Sequence, residues 1–218
     1  MIYLSKERMP KHMSYNCAHL DKDAIIASDS RETFIDGTYK DNRQKTFVNR
    51  EQKIIWSMTG LIKYRDVDIH QMINTIMNWD IVLSEKLTLI ENFMCFETQR
   101  YYDEFHSDVY FDFFIVENIN NHNVLHVFEV KNGTVQMNNS YTYNNYISSG
   151  IITKYQKDIE EMVLLSRGNK VDLFQEILMS VEKESGLNDK TVGGPIYIAT
   201  MNKYGEIKTY IDGEEKKF

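Results

Sequence analysis

Apolar and polar positions alternate with a period of two through most of the first sixty residues, the signature of half-buried strands. "MSYNCAHL" (13–20) and "DAIIAS" (23–28) predict a hairpin joined around Asp21-Lys22. "RQKTFVN" (43–49) and "KIIWSMTG" (53–60) predict a second, turned at Arg50-Glu51 and closed by Gly60. The period then lengthens. Ile62, Ile69, Met72, Ile73 and Ile76 fall on one face at helical spacing. A second helix is predicted to open at Ser84, an N-cap residue with Glu85 behind it, and to carry the stripe Leu87, Ile90, Met94 and Tyr101. The short 78–83 connection predicts antiparallel pairing of these two helices.

Strands resume with "VYFDFFIVEN" (109–118), "VLHVFEVKN" (124–132), "TVQMNN" (134–139) and "TYNNYISS" (142–149). Asn132-Gly133 is a preferred tight-turn pair between two of them. Two further helical stripes follow, Tyr155, Ile159, Met162, Val163 and then Val171, Phe174, Ile177, Leu178, Val181. "PIYIATMNKYGEIKTYI" (195–211) reads as a last hairpin turned at 202–205. Two helices after each block of strands predict an α+β chain: two stacked antiparallel sheets with a helix pair on each outer face, a four-layer αββα sandwich. No repeat or low-complexity segment interrupts it, so residues 13–218 are expected to form one domain behind a leader of residues 1–12.

Composition narrows the function classes. A net charge of −7 argues against a nucleic-acid partner, which requires a basic surface. No apolar run approaches the ~20 residues of a membrane helix, and the first fourteen residues lack the apolar core of a secretory signal. Two cysteines, Cys17 and Cys95, make neither a disulfide framework nor a CxxC zinc motif, so a reducing cytoplasm is the expected setting. The six histidines show no HExxH or HxxEH spacing. No metal and no cofactor are expected.

The stretch "DKDAIIASDSRET" (21–33) resembles the opening strands of proteasome β-type subunits and their bacterial relatives, where a threonine-led strand is followed by "KDGVVLAADSR". The resemblance continues in order along the chain. Lys45 follows Asp29 by sixteen residues, Gly60 ends the next strand, Ser149-Gly150 follows the middle strands, and Asp189 lies four residues before Gly193-Gly194. It covers about residues 13 to 211. It implies the αββα fold of N-terminal-nucleophile hydrolases and the candidate site Ser14, Asp29, Lys45, Gly60, Ser149 and Asp189. It also implies a homo-oligomer in ring or partial-ring form, acting on a peptide; Tyr101 and Tyr102 are helix aromatics expected on the exposed side.

The chemistry explains the residue types. A hydroxyl or thiol at residue one attacks a carbonyl, with the free α-amino group, of pKa near 8, as base. A lysine lowers the nucleophile's pKa, an aspartate orients the lysine, and a glycine N–H holds the oxyanion. Asp29, Lys45 and Gly60 fit the last three roles. The nucleophile departs from the family pattern. The first threonine is Thr33; the two possible alignments place Met13 or Ser14 at the nucleophile's position, and Cys17 lies three residues on from Ser14. Val192 replaces a serine that precedes the Gly-Gly pair in the family. Two functions follow. One is an unprocessed, weakly active or inactive subunit used for assembly or binding. The other is a self-processing peptidase or amidase with Ser14 as nucleophile after loss of residues 1–13. The plainer reading of Asp29 and Arg31 is a surface turn closed by a local ion pair.

Overall fold

Alternating β-branched and aromatic residues place the strands close to where the pattern puts them. The computed structural model describes residues 14–33, 38–150, 156–186 and 192–218. In chain order come β1 (Tyr15–Leu20), β2 (Ala24–Ser28), β3 (Glu32–Thr33), β4 (Tyr39–Lys40), β5 (Thr46–Asn49), β6 (Ile54–Gly60), β7 (Lys63–Tyr64) and β8 (Val67–Asp68). Helices α1 (Ile69–Met77) and α2 (Leu83–Phe105) follow, then β9 (Tyr110–Ile119), β10 (His122–Lys131), β11 (Thr134–Tyr141) and β12 (Asn145–Gly150). Helices α3 (Gln156–Leu165) and α4 (Lys170–Gly186) lead to β13 (Tyr197–Met201), β14 (Ile207–Ile211) and β15 (Glu214–Glu215).

The strands form a six-stranded sheet in the order β12-β1-β2-β13-β14-β15 and a five-stranded sheet in the order β11-β10-β9-β6-β5, beside two short ribbons. Their pairings are antiparallel. Strand alternation then sorts the apolar side chains into three clusters. Trp56, Met58, Phe111, Phe113 and Ile115 meet Ile69, Ile73 and Ile76 of α1 and Ile90, Met94 and Tyr101 of α2. Tyr15, Cys17, Ile25, Ala27 and Ile198 meet Ile159 and Val163 of α3 and Phe174, Ile177 and Leu178 of α4. The opposite faces of the same strands supply Ala18, Leu20, Ile26 and Ala199, which meet Ile55, Phe114, Val116 and Val127 of the other sheet. Each of the larger aliphatic and aromatic side chains among these contributes about 1.5–3 kcal/mol on burial.

Several boundaries differ from the sequence reading. Residues 61–68 do not join the first helix. Ile69 N–H donates to the Ile62 carbonyl at 2.9 Å, and the segment between forms the β7–β8 ribbon. Helix α1 starts later, capped by Asp68, whose carboxylate accepts from Gln71 N–H at 2.9 Å. Met72, assigned to the buried stripe, is exposed. Helix α2 starts at Leu83 without a side-chain cap, so Ser84 is inside the helix. Tyr101, expected at the surface, is buried against Tyr64 and Phe105, whereas Tyr102 is exposed.

Candidate functional site

The space between the two large sheets is apolar at one end and polar at the other. On β1, Ala18 and Leu20 lie on the apolar stretch of the inward face, which continues through Asn16 to Ser14 at the strand's head. The same change occurs from Ile26 to Ser28 on β2, from Ile55 to Ser57 and Thr59 on β6, from Phe114 to Asp112 on β9, and from Ile147 to Ser149 on β12. Because neighbouring strands run antiparallel, all these polar ends converge at one place.

Three of the expected site residues meet there. Lys45, fully buried, donates from Nζ to Ser14 Oγ at 2.7 Å, to Asp29 Oδ1 at 2.8 Å and to the Arg31 carbonyl at 2.6 Å. These bonds use all three protons of the ammonium. Burial pulls the Lys45 pKa below its ordinary value, with Asp29 opposing. The Asp29 carboxylate is itself saturated: Oδ1 also accepts from Tyr15 N–H at 3.1 Å, and Oδ2 accepts from Arg31 N–H at 3.1 Å and Gly193 N–H at 3.3 Å. Backbone donors from β1, from the turn after β2 and from the segment before β13 therefore converge on one side chain. Ser14 is 1% exposed.

The local Asp29–Arg31 ion pair does not form. The Arg31 guanidinium turns away, bonding Asp41 at 2.6 and 2.8 Å and the Val192 carbonyl at 3.0 Å, and lies 4.1 Å from the centroid of the Tyr39 ring. Arg31 thus presents its carbonyl to Lys45 while its side chain is anchored elsewhere. Val192 is buried in the α3–α4 cluster, and its N–H donates to Ser185 Oγ at 3.2 Å.

Gly60 and Ser149 connect to this group less directly. Ser149 Oγ donates to Asn16 Oδ1, two residues from Ser14 on the same strand face, and lies 3.3 Å from Thr59 Oγ1, which precedes Gly60. Ser149 therefore joins the two sheets. Gly60 has φ +101°, and a Cβ there would fall 2.1 Å from the Tyr110 carbonyl oxygen. Gly150 has the same φ, and a Cβ there would fall 1.8 Å from the Ser14 carbonyl oxygen, so only glycine lets β12 pass the head of β1. Asp189 lies outside the described residues, as do residues 1–13 and the bond before Ser14.

Sequence reasoning missed two titratable groups. Asp112 pairs across β9 and β10 with Glu129 and across β6 with Thr59, whose hydroxyl donates to Asp112 Oδ2 at 3.3 Å. Burial and then the Glu129 charge push its pKa up to about 7. His70 is buried near Phe111, and neither ring nitrogen has a hydrogen-bond partner. Burial, and then the charges of Arg43 and Lys45, hold its pKa well below the usual histidine range. Among the described residues no group of three His, Cys, Asp or Glu side chains has a metal-holding arrangement. His126 bonds Glu117 and Ser140, both at 2.8 Å. Among the described residues no helix is long and apolar enough to cross a membrane.

No family model matches the chain, and no curated protein does. Solved structures do. Anbu from Hyphomicrobium sp. strain MC1 matches at 14% identity and TM-score 0.56, covering 90% of this chain and 86% of that one. Its Gly-1 mutant matches at 13% and 0.55, with 91% and 86% covered. Anbu, named as an ancestral beta-subunit, from Yersinia bercovieri matches at 16% and 0.56, with 90% and 86% covered. The assignment to proteasome β-type subunits read from the sequence is corrected accordingly: the matching structures bear the name Anbu. At these identities they show the fold this chain shares.

Proposed function

We propose that this chain is an Anbu-like protein of four αββα layers that is latent while Met13 precedes Ser14: a self-processing amide or peptide hydrolase whose nucleophile is Ser14. One observation carries the reading, the buried Lys45 ammonium shared among Ser14 Oγ, Asp29 Oδ1 and the Arg31 carbonyl. A buried ammonium needs an acceptor for each proton, and here the third acceptor is a serine hydroxyl at the head of β1, where the nucleophile is expected. In the intact chain the Ser14 nitrogen is an amide, which has no basic lone pair. For the first cleavage the base is assigned to the neutral form of Lys45, which burial favours; its Nζ lone pair then takes the Ser14 hydroxyl proton in place of the bond it donates. Once the Met13–Ser14 bond is cut, the new α-amine takes the hydroxyl proton. Ser14 Oγ attacks the substrate carbonyl, and the proton passes to the leaving amine. Water then releases the acyl group from Ser14 Oγ. Lys45 stabilises the forming alkoxide, Asp29 holds Lys45, and the Gly60 N–H is assigned to the oxyanion.

A second reading is favoured by the burial of Ser14 and by Val192: the chain never matures and serves as an assembly or binding subunit in a homo-oligomer. Intact mass separates the two. Under the first, incubation lowers the mass by the first thirteen residues, and Ser14→Ala and Lys45→Ala each prevent it. An unchanged mass under every condition tried, with no amide hydrolysis, refutes the first. Amide hydrolysis by full-length chain that survives Ser14→Ala overturns both.

A further inference from the structure

At the far end of β1, about 16 Å along the strand from Ser14, the outer face of the six-stranded sheet carries a cavity of ≈ 380 Å³. Its floor is His19, Ile25 and Thr200, neighbours across β1, β2 and β13. Residues 168–171, the end of the α3–α4 connection and the first residues of α4, form the opposite wall, and the β1–β2 turn, residues 21–23, forms the rim.

His19 gives this cavity its chemistry. Its ring is 2% exposed, and Nδ1 lies 3.1 Å from the Asn145 carbonyl. A carbonyl only accepts, so Nδ1 carries the proton and Nε2 of the neutral ring holds a lone pair. Burial, and then the nearby Lys170 charge, lower the His19 pKa and keep the ring neutral near pH 7. No described residue bonds Nε2, and His19 lines the cavity, so the ring's second nitrogen is an acceptor left to solvent or to a ligand there. Both signs of charge flank it. Lys170 donates one proton to the Val163 carbonyl at 2.5 Å and keeps two; it opens the seventeen-residue helix α4. Lys22 lines the same cavity and has no partner among the described residues, while Asp21 and Asp23 lie on either side of it.

We propose that this cavity binds a small zwitterion of amino-acid or dipeptide size, at a site separate from the Ser14 cluster. The ligand's ammonium donates to His19 Nε2 and faces Asp21; its carboxylate faces Lys22, Lys170 and the positive end of α4. A purely anionic ligand leaves Nε2 without a donor and sets its charge against two aspartates. A purely cationic one meets two lysines. The volume, at the low end for ligand pockets, suits a molecule of this size.

The test uses full-length protein and calorimetric titration, with alanylalanine and alanine as probes and N-acetylalanine and alaninamide as single-charge controls. One zwitterion probe should bind at one site per chain, with each control at least about tenfold weaker. His19→Phe should abolish binding and Lys22→Glu weaken it about tenfold. Ser14→Ala should leave it unchanged. If His19→Phe does not fold, Lys22→Glu and Thr200→Val carry the test. No binding of either zwitterion at about 10 mM, equal binding of a single-charge control, or indifference to both remaining variants overturns the proposal. Loss of binding in Ser14→Ala overturns the separateness of the site.

Discussion

Replacing Lys45 with methionine keeps most of its buried volume and removes its charge and three hydrogen bonds. Asp29 then loses its counter-ion but keeps the N–H groups of Tyr15, Arg31 and Gly193. Breaking a buried pair from one side costs ~3–5 kcal/mol, and the three remaining donors place this site at the lower end, about 3 kcal/mol. In a domain of this size that lowers Tm by about 6–12 °C. Asp29→Asn should cost a similar amount, because it strands the Lys45 ammonium and turns an acceptor toward donor against its neighbours. In the double variant neither charge is left alone, so the costs should fall short of additive by at least about 1.5 kcal/mol. Urea unfolding at pH 7, with matched m-values across the four proteins, measures the coupling. A loss below about 1 kcal/mol for Lys45→Met, or strict additivity, would refute the claim that this pair is a mutually dependent buried unit.

Other expectations follow from the same geometry. His70 is neutral in the fold, so as pH drops below about 6.5 the unfolded chain takes up a proton that the native one refuses. Stability should fall on acidification with a slope approaching ~1.4 kcal/mol per pH unit, and His70→Phe should remove that component. Asp112 has the opposite sign: its carboxyl stays protonated in the fold to about pH 7 while the unfolded one ionises near 4, so stability is lost as pH rises between those values. Asp112→Asn should flatten that limb in urea titrations at pH 5 and 8; an unchanged slope would count against burial holding the Asp112 carboxyl protonated. Gly150→Ala should prevent folding or cost several kcal/mol, seen by circular dichroism, since its Cβ has no room beside the Ser14 carbonyl. Self-association is expected from Leu89, Phe96 and Phe105, which α2 exposes; sedimentation equilibrium returning only the 25.8 kDa monomer at high concentration would sink it.

Much of this molecule is legible in its sequence because strand alternation is a local rule. The period-two runs placed β1, β2, β6 and β9 through β12, and the turn residues separated them. The sixteen-residue spacing from Asp29 to Lys45 located the central pair through the family resemblance alone; β2 and β5 belong to different sheets, and the pair bridges them. The polar ends of the inward faces were also visible, as Ser14-x-Asn16, Ser57-x-Thr59 and Ser149, but their convergence depends on antiparallel register across two sheets. What the sequence hides is pairing between distant or irregular segments. Arg31 finds Asp41 in a loop, not the aspartate two residues away. Asp112 faces Glu129 only because the β9–β10 register puts it there. The start of α1 was misplaced because Ile62 continues the helical spacing of Ile69 and Ile73, while the β7–β8 ribbon competes for the same residues. Ser84 is a good cap in type but lies one residue inside α2.

The four donors gathered on Asp29 come from residues 15, 31, 45 and 193, and the bond to Gly193 spans 164 residues of chain. Contacts of such separation close late, after the loops between them have lost their entropy. The carboxylate therefore lacks one of its four donors until the segment before β13 has docked. A chemical event that requires this arrangement doubles as a clock for folding. In a growing chain it stays silent until synthesis has passed residue 193, and in a misfolded one it never begins. Ribosome-bound fragments ending before and after that position would show the onset directly.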